Sequence, residues 1–150
     1  MAQLTDKVAF VTAAGGAIAG ATACRFSMEG AAVYCVGIDN DTVAQTVATI
    51  TEDGGQATAS HCDVTDKTEV QEALDACVAE FGRRDIVFNA AAAQEPSATV
   101  ETMSLETWNE VVDVNLTGMF LVCKYAIPHL RETGGGSIIN ICLLYTSPSP

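Results

Sequence analysis

The residues best suited to holding a ligand are one run of small side chains and three polar residues that follow it. Val11-Thr12-Ala13-Ala14-Gly15-Gly16-Ala17-Ile18-Ala19-Gly20 joins an apolar run to a helical pattern. A turn of that kind leaves backbone N–H groups and the positive end of a helix available to a pyrophosphate. Small residues let the ligand approach the backbone and let the helix sit close to its strand, although tight packing alone would ask for the same residues. Asp39, Asp63 and Asn89 follow successive β-branched runs, where open α/β sheets bind their ligands. Asp39 stands about twenty residues past the turn, the spacing of an acid that accepts from a ribose 2′-hydroxyl, and is equally placed to cap a helix.

Other chemistry is sparse. His61 and His129 are far apart in the chain, and Cys24, Cys35, Cys62, Cys77, Cys123 and Cys142 form no C-x-x-C pair, so no metal-ligand spacing is present. These cysteines are expected to be small buried hydrophobes in a reducing compartment. Seven Lys and Arg against nineteen Asp and Glu give a net charge of −12. That balance argues against nucleic acid and anionic membrane as partners, since both need basic clusters. The apolar stretch from Val8 to Cys24 is interrupted by Thr12, Gly15 and Gly16, which argues against a signal peptide. No run approaches ~20 uninterrupted apolar residues, so no transmembrane helix and a cytoplasmic location are expected.

The positioning elements alternate. Lys7–Thr12, Ala32–Ile38, Gln56–Cys62, Asp85–Phe88 and Ser137–Ile141 read as strands, the third being the weakest. Between them lie helical stretches: one through about Glu29, one over Asp41–Glu52, one opened by Asp66, and a long one from Ser104 to about Leu130. Asp66 and Glu69 have capping-box spacing. Continuous apolar strands separated by helices predict an α/β, Rossmann-like, doubly wound parallel sheet, truncated after the fifth strand, with right-handed crossovers. A chain of 150 residues supports one such domain, over residues 1–141.

These motifs together resemble the N-terminal part of the short-chain dehydrogenase/reductase family, over residues 4–141. The T-G-x-x-x-G-x-G turn aligns at Thr12–Ala19, the D-V after the third strand at Asp63-Val64, and N-N-A-G at Asn89-Ala90-Ala91-Ala92. The family's helix asparagine matches Asn115 within Val114-Asn115-Leu116-Thr117-Gly118, and 136–141 resembles its fifth strand. The resemblance implies hydride transfer between a nicotinamide cofactor and a small-molecule alcohol or ketone. It implies cofactor contacts from Thr12, Gly15, Gly16, Ile18, Asp39, Asp63, Val64, Asn89, Ala90 and Ala91, with Asn115 in the catalytic group. It also implies a homodimer or homotetramer of the full-length parent. No base occurs between Arg25 and Lys67, so an NADP 2′-phosphate would lack a partner and NAD is expected.

The departures are specific. Ala13, Ala17 and Ala19 stand at the turn's glycine positions, Ala92 at another motif glycine, and Gly37 where the family's strand-two acid aligns. The family's tyrosine acid/base and lysine come as Y-x-x-x-K, yet Tyr34, Tyr125 and Tyr145 are followed four residues later by Ile38, His129 and Ser149. The chain as given is therefore expected to be inactive. Residues 142–150 (CLLYTSPSP) resemble a translated sequencing adapter and are expected to be a non-native tail. The apolar residues of the long helix (Trp108, Val111, Val112, Val114, Leu116, Met119, Phe120, Leu121, Val122) spread too widely for an isolated surface helix. An exposed apolar face, with aggregation or poor expression, is expected. The alternative is a non-catalytic nucleotide-sensing or protein-interaction module on the same fold.

Overall fold

β-Branched runs flanked by glycine or acidic turns become the strands of one parallel sheet. The computed structural model describes residues 2–93 and 98–141; the expectation about 142–150 lies outside them. In chain order the elements are β1 (Val8–Val11), α1 (Ala17–Met28), β2 (Ala32–Gly37), α2 (Asn40–Glu52), β3 (Ala57–His61), α3 (Lys67–Phe81), β4 (Ile86–Asn89), α4 (Leu105–Val112), a π-helical segment (Asp113–Gly118), α5 (Met119–Glu132) and β5 (Ser137–Asn140). The strand order is β3-β2-β1-β4-β5. Every pairing is parallel, with Val11 opposite both Cys35 and Phe88, and Asn89 opposite Asn140.

Successive side chains on a strand point to opposite faces, so the sheet carries two cores. Phe10, Tyr34, Val36 and Val87 meet Val70, Leu74, Val122 and Ala126 from α3 and α5 on one face. Ala9, Val11, Val33, Cys35 and Phe88 meet Ala19, Ala23, Val43 and Ile50 from α1 and α2 on the other. β1 and β4 are buried throughout, whereas β3 and β5 are partly exposed. β3 reads weakly in sequence because it is an edge strand, where one side needs no apolar partner.

Side chains start most helices. Asp39 Oδ1 accepts from Asp41 and Thr42 N–H, Asp66 Oδ1 from Thr68 and Glu69 N–H, and Ser104 Oγ from Thr107 N–H. The capping-box expectation is half met. Glu69 Oε2 accepts from Asp63 N–H at 2.8 Å, tying the end of β3 to α3 rather than closing on Asp66.

The single long helix of the sequence reading is interrupted by the π-helical segment. A wider turn there lets Asn115 reach sideways, and Gly118 is the point of closest approach to the chain after β3: a Cβ on it would lie 2.7 Å from Val64 Cγ2. Its apolar face is exposed as expected, Trp108 by 55%, Leu116 by 66% and Phe120 by 57%. Among the described residues one stretch, Leu105–Glu132, reaches a mean hydropathy of 1.3 and is long and apolar enough to cross a membrane, by length and composition only. Val122, Ala126 and Leu130 nonetheless seat this helix in the sheet's core.

Two charged residues hold the edge away from the helix-capping ends. Asp85, 5% exposed, accepts from Val8 N–H at 3.0 Å, Arg83 Nε at 2.8 Å and Lys7 Nζ at 3.3 Å. Burial alone would raise its pKa, but these donors outweigh it and hold the carboxyl below its ordinary value. Next to it Arg84 is fully buried, donating to Leu74 O at 2.9 Å and Ala126 O at 3.2 Å. Its Nε has no partner among the described residues.

At the opposite edge, Thr12 joins the two halves of the sheet. Its N–H donates to Phe88 O at 3.0 Å, and its Oγ1 accepts from Ala90 N–H at 3.0 Å and Ala91 N–H at 3.2 Å. Thr12 is 1% exposed, so its hydroxyl bonds these half-buried amides from inside the sheet.

Two stability predictions arise. Thr12→Val should cost about 1–3 kcal/mol by leaving the Ala90 and Ala91 amides unpaired, with Thr12→Ser retaining most of it; chemical denaturation measures both. Equal stability of wild type and Thr12→Val would show that the hydroxyl does not hold the loop. Arg84→Met should melt at the same temperature or higher, because it removes a buried charge and an unpaired Nε while keeping the volume. Arg84→Ala should melt lower, because it opens a cavity.

Candidate functional site

A cavity of about 1000 Å³ opens at the carboxyl edge of the sheet, where the chain runs from β1 outward in both directions and the strand order switches. Its walls come from every strand end nearby. Ala13, Gly15 and Gly16 follow β1; Gly37, Ile38 and Asp39 close β2; Cys62 to Thr65 follow β3; Ala91 and Ala92 follow β4. Leu105, Glu106, Asn109 and Glu110 of α4, with Asp113 and Val114, make the last wall.

The start of α1 differs from those of α2, α3 and α4. Gly16 occupies the cap position, no side chain accepts from the first turn, and no acid stands in it. The first-turn N–H groups are therefore left to solvent or to a ligand beside the cavity. Space is reserved there as well: a Cβ at Gly15 would run into Thr42 Oγ1, and one at Gly16 would come within 3.3 Å of Ala13 O. Ala13 has a φ of 51°, a left-handed conformation that costs a residue with a Cβ on the order of 1–2 kcal/mol. Strain of this kind is found at ligand-binding turns.

The candidate residues divide by position. Gly15, Gly16, Asp39, Asp63, Val64 and Ala91 line the cavity. Thr12, Asn89 and Ala90 lie behind the wall. Asn89 is 2% exposed and donates through Nδ2 to Asn140 Oδ1 at 2.8 Å and Cys123 Sγ at 3.5 Å. Its Oδ1 has no partner among the described residues. Ile18 is 48% exposed on α1 and is not part of the lining. Asn115 Oδ1 accepts from Ala93 N–H at 2.7 Å, and its Nδ2 donates to Ala93 O at 3.1 Å. Both ends of that amide are thus spent on the loop after β4.

Asp39 and Asp63 each work locally too. Asp63 Oδ1 accepts from Thr65 N–H at 2.9 Å and Thr65 Oγ1 at 2.8 Å, while Asp39 caps α2. Burial raises the Cys62 thiol to about 12, as it does Cys35 and Cys77, so these thiols stay protonated and unreactive near neutrality. The histidines lie elsewhere: His61 Nε2 is 3.4 Å from Glu69 Oε2, and His129 Nε2 is 3.3 Å from Asp75 Oδ1.

Among the described residues the lining carries five carboxylates, from Asp39, Asp63, Glu106, Glu110 and Asp113, and no Lys, Arg or His. Sequence reasoning missed the α4 wall. Its residues recur at helical spacing (Leu105, Glu106, Asn109, Glu110, Asp113), yet nothing in that spacing tells which side faces β1 to β4. The fit to a dinucleotide rests on backbone donors at α1 and an acceptor at Asp39. The arrangement can bind and orient a ligand, and no Tyr–Lys pair stands in the described lining.

Comparison with known proteins agrees with this geometry. The sequence profile described as short chain dehydrogenase matches residues 7–147. The chain is 37% identical over 139 residues to a D-threitol dehydrogenase of Mycolicibacterium smegmatis, covering 93% of this chain and 53% of that protein. It is 39% identical over 142 residues to the 2,5-dichloro-2,5-cyclohexadiene-1,4-diol dehydrogenase LinX of Sphingobium indicum, covering 95% of this chain and 56% of the relative. Among solved structures, NAD+-bound xylitol dehydrogenase superposes with a TM-score of 0.88 at 32% identity, over 91% of this chain and 52% of that one. A short-chain dehydrogenase/reductase structure from Burkholderia xenovorans gives 0.86 at 36% identity, over 92% and 56%. The chain therefore spans about half the length of the relatives it matches. Parallel strands in this order, a side-chain-free helix start beside the switch-point cavity, and a profile match along most of the sequence establish that the chain belongs to the short-chain dehydrogenase/reductase family.

Proposed function

We propose that this chain is the cofactor-binding part of an NAD-dependent oxidoreductase acting on a small alcohol or ketone in the cytoplasm. The observation that carries the reading is the uncapped start of α1, opening into a cavity whose far rim holds Asp39. Gly15, Gly16 and the first-turn amides of α1 would hold the pyrophosphate, and Asp39 the adenosine ribose. Asp63 and Val64 would flank the adenosine, with Ile18 at the outer side of the turn. Thr12, Asn89, Ala90 and Ala91 would shape the floor on the nicotinamide side. Asn115 would act as a positioning residue, fixing the loop after β4 through Ala93. When bound, the nicotinamide ring donates or accepts the hydride.

NAD is favoured over NADP because a 2′-phosphate would enter a cavity whose described lining holds five carboxylates and no base. The relatives named for D-threitol, xylitol and a cyclic diol support an alcohol as substrate. None of the three tyrosines begins a Y-x-x-x-K, so binding without turnover is expected of this chain. Calorimetric titration should give saturable NAD binding, NADP binding at least tenfold weaker, and no NADH formation with alcohols. Lack of saturable NAD binding by folded protein would overturn the reading, and hydride transfer would overturn the inactivity.

We also infer that the exposed stripe of Trp108, Leu116 and Phe120 is covered by a second copy. Trp108, Leu116 and Phe120 recur at multiples of four along one helical face and are each more than half exposed, an apolar surface that a covering partner would remove from water. Light scattering should show a dimer or larger species that Leu116→Glu/Phe120→Glu shifts to monomer. A monodisperse wild-type monomer would overturn this reading.

A further inference from the structure

Where β4 and β5 end side by side, three side chains from distant parts of the chain meet. Asn89 closes β4 and Asn140 closes β5, opposite each other in register, and Cys123 of α5 touches both. Asn89 Nδ2 donates to Asn140 Oδ1 at 2.8 Å and to Cys123 Sγ at 3.5 Å. The Cys123 S–H donates to Asn140 Oδ1 at 3.8 Å.

One end of the Asn89 amide is left over. The residue is 2% exposed, and its Oδ1 has no partner among the described residues, which costs stability. Exchanging both amides end for end does not remove the deficit. Asn140 Nδ2 would then donate to Asn89 Oδ1, and Asn89 Nδ2 would become the end without a partner. The place beside this amide therefore fits a small group that both donates and accepts.

The sulfur is where such a group can arise. Cys35, Cys62 and Cys77 are buried, whereas Cys24 and Cys123 are half-buried. Of these two, only Cys123 bonds to polar side chains among the described residues. The N–H aimed at its sulfur is a hydrogen bond that strengthens when sulfur carries charge, and the thiolate is the form that reacts.

We propose that Cys123 is an oxidant-sensitive modification site, at which hydrogen peroxide converts the thiol to a sulfenic acid whose S–O–H bonds to the partnerless end of the Asn89 amide. The thiolate attacks one peroxide oxygen, so an S–O bond forms and the O–O bond breaks. Sulfur is oxidised by two electrons, and the departing hydroxide takes the thiol proton and leaves as water. Two equivalents of a thiol reductant reverse the step, becoming a disulfide and releasing a second water. Asn89 is followed directly by Ala90 and Ala91, whose amides Thr12 holds. The modified sulfur thus tightens the strand end from which that wall of the cavity departs.

The test treats the folded chain, in a Cys142→Ser background, with hydrogen peroxide. A dimedone probe and mass spectrometry follow sulfenic acid at Cys123 and at Cys24, the comparison thiol of similar burial. Cys123 should be labelled about tenfold faster than Cys24, and the oxidised chain should melt about 2–4 °C higher than the reduced one, with dithiothreitol restoring the lower value. Asn89→Ala should bring the Cys123 rate down toward that of Cys24 and abolish the rise. Equal labelling of the two cysteines would overturn the proposal, as would an oxidised chain that melts no higher, which would mean that water already serves the amide or that the added oxygen does not fit. A folded Asn89→Ala that keeps the fast labelling would overturn it as well. Should that variant not fold, the labelling ratio and the melting shift of the Cys142→Ser chain decide the matter.

Discussion

One buried hydroxyl ties the loop after β4 to the end of β1. β2 and β3 lie on one side of β1, and β4 and β5 on the other, so the chain segments leaving β1 and β4 diverge and leave a crevice. The loop after β4 turns its Ala90 and Ala91 amides toward Thr12 at that seam. Thr12 Oγ1 accepts from both, which lets the loop form the cavity floor without an unpaired donor. Asn115 holds the same loop from the opposite side through Ala93. Thr12 and Asn115 thus fix one short segment between two rigid elements.

Electrostatics then narrow what the cavity accepts. The chain carries −12, and the lining repeats that sign. The uncapped backbone at the start of α1 is the part of this rim with N–H groups left to donate. An anionic group there would be held by short-range hydrogen bonds while the surrounding carboxylates would repel further negative charge.

The long helix serves both ends of this arrangement. α4 and the residues just after it supply a cavity wall, while α5 inserts Val122, Ala126 and Leu130 into the core. The π-helical segment between them, with Gly118 against Val64, gives Asn115 its reach. The cavity wall, the core helix and the exposed apolar stripe are therefore mechanically one piece.

The alternation of apolar runs and helical stripes by itself determined the parallel sheet, because strands without polar alternation must be buried on both faces. Gly15, Gly16, Asp39 and Asp63 were legible as candidates because strand-to-helix turns are local events. Tertiary structure alone decided that Ile18 faces out, that Glu69 bonds to Asp63, and that α4 walls the cavity. It also decided that Asn115 spends its amide on Ala93. Each of these depends on which face of a helix meets a partner distant in sequence. Periodicity identifies a face, and only packing chooses what it meets.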